Sequence, residues 1–251
     1  MNVDAIVELC EEGIVKFENI KLIKSMNTLN IKELLIKLLR STKRITYLTE
    51  DWMHLYKLGN FSPQDTRELL ELVINPNRVE TSFELFKIYY RQTDFTQAQD
   101  LLVRLLYLNI DFTTFSFCDF QLTEDNVRVL IKQLDKKSVN EYNFYKLLEY
   151  VEKQQFTLEI DKGVLDLLVH FHTSIKTDTS TKKDLICNLI SKSSLKIHEQ
   201  EFMELVCEFM NPVLRLIKDT FKIPTSSISI PSNLSNEQVT ELIKTLVERL
   251  K

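Results

Sequence analysis

Apolar residues along this chain recur at spacings of three and four, the period of one face of an α-helix. The segment behind Pro63 is typical. Leu69, Leu70, Leu72, Val73 and Ile74 form a broad apolar face, bounded on both sides by stop and start signals. Ser62-Pro63-Gln64-Asp65 supplies a serine cap, a proline at the first helical position and an acidic first turn, and Asn75-Pro76-Asn77 closes the run. Thr49 caps the stretch EDWMHLYKL, with Gly59 placed to take the left-handed C-terminal position. Thr123 opens EDNVRVLIKQLDKK, acidic first and basic last, matching the helix dipole. Ser235-Asn236-Glu237-Gln238 fits a capping box for a final amphipathic helix, VTELIKTLVERLK.

Further helical patterns run from Asp4 to Met26, Ile31 to Ser41, Glu80 to Gln92, Thr96 to Asn109, Asn140 to Gln154, Lys162 to Ile175, Lys182 to Lys192 and Glu199 to Phe221. Pro212 is expected to kink or split the last of these, because it lacks a backbone donor. The pattern predicts an all-α chain of about a dozen helices with short connections. Composition agrees: three glycines and five prolines in 251 residues leave β-turns poorly supplied. Residues 1–221 read as a single all-α domain. The stretch KIPTSSISIPSN sets two prolines among serines and isoleucines and predicts an extended linker over 222–234. The helix over 235–251 is then expected to pack on the same domain, since one helix holds no core alone.

The stretch FELFKIYYRQTDFTQAQDLLVRLL, Phe83 to Leu106, joins two periodic segments at Gln92-Thr93-Asp94-Phe95. Leu85, Tyr89, Ala98 and Leu102 fall at spacings that resemble the helical hairpins of tetratricopeptide and pentatricopeptide repeats, and the LNIDFT that follows resembles the turn ending a pentatricopeptide unit. The resemblance covers one unit of about 34 residues, over 80–113. It implies a helix pair in which Ala98 lets the second helix approach the first. Ala5 is the only other alanine, so a regular array lacks the small residue that each unit needs. The expected architecture is therefore an irregular α-solenoid, or helical-repeat-like stack, with a compact irregular bundle as the alternative.

Charge and candidate chemistry narrow the function. The formal net charge of −4 provides no global attraction to nucleic acid or anionic lipid. Cys10, Cys118, Cys187 and Cys207 are far apart and read as reduced thiols of an intracellular protein, cytoplasmic or nuclear. No uncharged apolar run reaches the roughly 20 residues that span a bilayer, so no membrane role is expected. Glycines stand only at 13, 59 and 163, which excludes a glycine-rich phosphate loop. His170 and His172 point in different directions on a helix, and no carboxylate motif completes a metal site around them. No catalytic residue, cofactor or metal is expected.

Two surfaces are candidates for partners. Phe112, Phe115, Phe117 and Phe120 lie in a connection without helix signals, where exposed rings would anchor an interface and buried ones would plug the core between hairpins. The basic segment from Lys16 to Arg44 includes Lys32, Lys37, Arg40, Lys43 and Arg44, which would meet phosphates or an acidic protein patch, or else form a solvated helix face. The terminal helix after the linker is a further candidate, its apolar stripe suited equally to a partner's groove and to packing within the chain. The sequence points to a non-catalytic protein–protein interaction subunit, a scaffold or adaptor of a larger complex, with a homodimer as one arrangement. The alternatives are a nucleic-acid-binding helical-repeat protein using 16–44, and an all-α enzyme whose site forms only in three dimensions.

Overall fold

The computed structural model describes residues 2–15, 19, 27–41, 49–108, 116–174, 180–198, 200, 201, 204, 212, 213, 216, 219 and 220. Among these residues the regular secondary structure is helical apart from one two-residue strand pair. The helices are α1 (Val3–Glu11), α2 (Thr28–Arg40), α3 (Thr49–Leu58), α4 (Pro63–Val73), α5 (Val79–Gln92), α6 (Phe95–Leu106), α7 (Glu124–Lys132), α8 (Glu141–Lys153), α9 (Lys162–Ser174) and α10 (Ser180–Lys192). A 3-10 turn spans Phe117–Phe120, and β1 (Glu159–Ile160) pairs in parallel with β2 (Ser194–Leu195). Neither of these two features is visible in the hydrophobic pattern.

Polar side chains start most of the described helices, Ser62 and Thr123 as expected. Asn2, Asn27, Ser62, Asp94, Thr123 and Asn140 each accept a backbone N–H from the first turn of the following helix. Ser62 with Asp65, and Thr123 with Asn126, complete reciprocal capping boxes. Asp161 caps α9, its Oδ1 accepting the Val164 N–H at 2.9 Å.

Some boundaries depart from the expected pattern: α7 stops at Lys132, five residues short of Lys137, and Thr49, expected as a cap, is the first residue of α3, its hydroxyl donating to Glu80 on α5 at 3.0 Å. The helix predicted over Asp4–Met26 stops at Glu11, because Gly13 takes φ +70°. Its N–H reaches the Cys10 carbonyl while Ile14 N–H reaches that of Leu9, a Schellman closure. After α3 the left-handed residue is Asn60 at φ 46°, not Gly59. Gly59 is needed for another reason: a Cβ there would lie 2.3 Å from the Phe61 ring. After α8, Gln155 at φ 58° closes a second Schellman motif, with Phe156 N–H bonded to the Val151 carbonyl and its ring against Tyr150.

The chain clusters into two compact units, Met1–Leu122 and Thr123–Lys251, a division that falls inside the 1–221 span read above as one domain. In the first unit α1 packs on α2, α2 on α3 and α4, α3 on α5, α4 on α5, and α5 on α6 and the 3-10 turn. Trp52, Leu55, Leu69, Leu70, Leu85 and Phe86 fill its core. In the second unit α7 packs on α9, α8 on α10, and α9 on α10 and β1. There Phe144 stacks on Phe171 with ring centroids 4.4 Å apart, and the Tyr145 hydroxyl donates to the Phe171 carbonyl. In both units, then, helices two places apart in the chain lie side by side.

Close approach of the helices needs small side chains, and alanine is scarce. Thr66, Ser82 and Ala98, each in the first turns of α4, α5 and α6, are all fully buried. Ser82 Oγ donates within reach of the Arg78 and Val73 carbonyls, at 2.8 and 2.9 Å. Thr66 Oγ1 donates to the Ser62 carbonyl at 2.9 Å and lies 2.6 Å from the Tyr56 hydroxyl. Each hydroxyl is thus satisfied locally, so a polar residue occupies an alanine-sized space without an unpaired group.

Candidate functional site

The basic segment is the candidate whose geometry can be followed best. Ile31, Leu34, Leu35, Leu38 and Leu39 bury one face of α2, which turns Lys32, Lys37 and Arg40 outward. Lys32 Nζ lies 2.5 Å from Asp65 and 2.6 Å from Glu68 on α4. Lys37 Nζ lies 2.5 Å from Asp4 on α1 and 2.6 Å from Glu33. Hydrogen bonds to these carboxylates push both ammonium groups up from their ordinary pKa. The Lys32 ammonium in turn holds the Asp65 carboxyl below its usual range, aided by the Ser62 hydroxyl. Arg40 is exposed at the end of α2. Lys43 and Arg44 lie outside the described residues.

Two of the five cations expected to meet phosphates or an acidic patch are therefore each engaged by two carboxylates of this unit. The same pairing continues along the row α1, α2, α4 and α6. Arg67 on α4 meets Asp100 on α6 at 2.6 Å and Glu71 at 3.2 Å, and donates to the Gln97 carbonyl at 2.8 Å. Asp4 to Lys37, Lys32 to Asp65, and Arg67 to Asp100 are each separated by 33 residues in sequence. Asp4, Asp65, Arg67 and Asp100 were not singled out as site residues. Their recurrence at one offset was the available signal, but any offset is unremarkable until the helices are known to lie side by side.

The aromatic candidates fall differently. Phe117 and Phe120 are each only 2% exposed. The Phe120 ring meets Phe86 edge-on at 5.3 Å and Tyr90 at 5.4 Å, so these two rings plug the core of the first unit and are not exposed anchors. The Ser116 hydroxyl starts the 3-10 turn that drives them inward, accepting the Cys118 N–H at 3.2 Å. Phe112 and Phe115 lie outside the described residues, as do the stretches 222–234 and 235–251, expected to be a linker and a helix.

In the second unit, His170 is exposed and His172 fully buried, as two residues apart on one helix dictates, and His172 Nε2 lies 3.2 Å from Asp219. Among the described residues no group of three or more histidines, cysteines or carboxylates is placed to hold a metal ion. Arg128 bridges Glu124 and Asp125, the acidic pair at the start of α7, and reaches the Thr157 carbonyl. A cavity of about 370 Å³ lies beside the first turn of α9, lined by Lys132, Asp161, Lys162 and Glu201 among others. Lys162 is held by Glu204 at 2.6 Å, and Lys132 lies 3.7 Å from Glu159.

Among the described residues no helix is long and apolar enough to cross a membrane. Comparison with protein-family models, with curated proteins and with solved structures finds no match.

Proposed function

We propose that this chain is a non-catalytic interaction subunit of a larger intracellular complex, built as a short, irregular helical-repeat stack. The observation that carries the reading is the packing of helices two places apart in both units. In the first unit, polar ties between α2 and α4 and between α4 and α6 span 33 residues and those between α3 and α5 span 31 and 32; in the second, the tie between α8 and α10 spans 41, and the Leu158 N–H reaches Ser193 Oγ across 35 beside the paired strands. The offsets of the first unit are close to a unit of about 34 residues, the length of the stretch that resembles a tetratricopeptide or pentatricopeptide hairpin. Stacked helical pairs present extended surfaces, and presenting surface is what such folds are used for. Fold alone does not assign function, so the proposal rests also on where the charge sits.

A protein partner is favoured over nucleic acid because Lys32 and Lys37 are each engaged by two carboxylates of the same unit. A cation that already sits between two carboxylates has little left with which to replace condensed counterions on a phosphate backbone.

The test is affinity purification of the tagged protein from its native cells, with and without nuclease, followed by mass spectrometry. Partners kept at fixed stoichiometry after nuclease are the expected result. Partners lost with nuclease, together with loss of RNA or DNA binding in Lys37→Glu and Arg40→Glu variants that keep their helical content, would replace this reading with the nucleic-acid one. Recovery of the protein alone or only as a homodimer in both halves would overturn it.

A further inference from the structure

We draw no further inference here: the strongest candidate, the cavity beside the first turn of α9 in the second unit, rests on a helix N-terminus whose neighbouring lysines already face carboxylates, with no second observation that points to a ligand.

Discussion

Ser82 offers the sharpest test of how this chain packs its helices without alanine. Its side chain is fully buried in the first turns of α5, and its hydroxyl lies 2.9 Å from the carbonyl of Val73 at the end of α4. In Ser82→Ala the helices can keep their separation, and the Val73 carbonyl still accepts from the Asn75 amide at 2.9 Å. The loss should be that of one net hydrogen bond, about 0.5–1 kcal/mol. Ser82→Leu adds three carbons where the α4 backbone stands. Overpacking of about 1–3 kcal/mol adds to the hydrogen-bond loss, for a total of roughly 2–4 kcal/mol. Trp52, the one tryptophan of the chain, is fully buried in the same unit, so its emission during urea unfolding reports on that unit. With a slope of roughly 1.5 kcal/mol per molar urea, a 3 kcal/mol loss moves the midpoint down by roughly 2 M. A Ser82→Leu protein with an unchanged midpoint and slope would refute the close approach of α4 and α5 at this residue. Ala98→Leu, at the matching turn of α6, should behave in the same way.

Other outcomes follow from single backbone and side-chain positions. Gln155→Gly removes the steric cost of a left-handed residue at the end of α8 and should stabilise the second unit by about 0.5–1 kcal/mol, read as a thermal shift of about 2–4 °C by circular dichroism. A fall in midpoint would show that the Schellman closure there is wrong. Gly59→Ala should cost about 1–3 kcal/mol, because the new Cβ meets a Phe61 ring that is itself held against Tyr56, and Phe61→Leu in the same chain should recover part of the loss in urea titration. Burial raises the Tyr145 hydroxyl above its ordinary pKa, so the folded state disfavours the phenolate. The sign places this contribution fully below the unfolded tyrosine pKa of about 10 and removes it as pH rises above that value. Tyr145→Phe should therefore lose stability at pH 7, where its bond to the Phe171 carbonyl is missing, yet decline less steeply than the parent between about pH 10 and 12. Equal slopes in that window would argue against burial as the cause.

The candidate surfaces were legible in the sequence only as composition. Lys32 and Lys37 stand out in a basic segment, but their charge is offset by Asp65 and Glu68 on one side and Asp4 and Glu33 on the other. Three of those four carboxylates belong to other helices. The phenylalanines posed the same problem: a run of aromatics in an irregular connection reads equally as an anchor or a plug. Only the neighbours of Phe120, namely Phe86 and Tyr90, decide that it is a plug.

What the sequence determined by itself was the all-helical class and most helix starts. A cap such as Ser62 or Asn140 bonds within its own first turn, and the 3.6-residue period is a property of one segment, so both can be read locally. The tertiary structure alone decided how the segments meet. It set hydroxyl residues in the space of the missing alanines, whereas Gly13 and Asn60 end their helices through local turns that the apolar period does not show. It also set the pairing of helices two places apart and the two units in which they lie. That pairing depends on contacts between residues some thirty positions distant, and a periodic apolar face specifies that it will be covered without specifying by which neighbour.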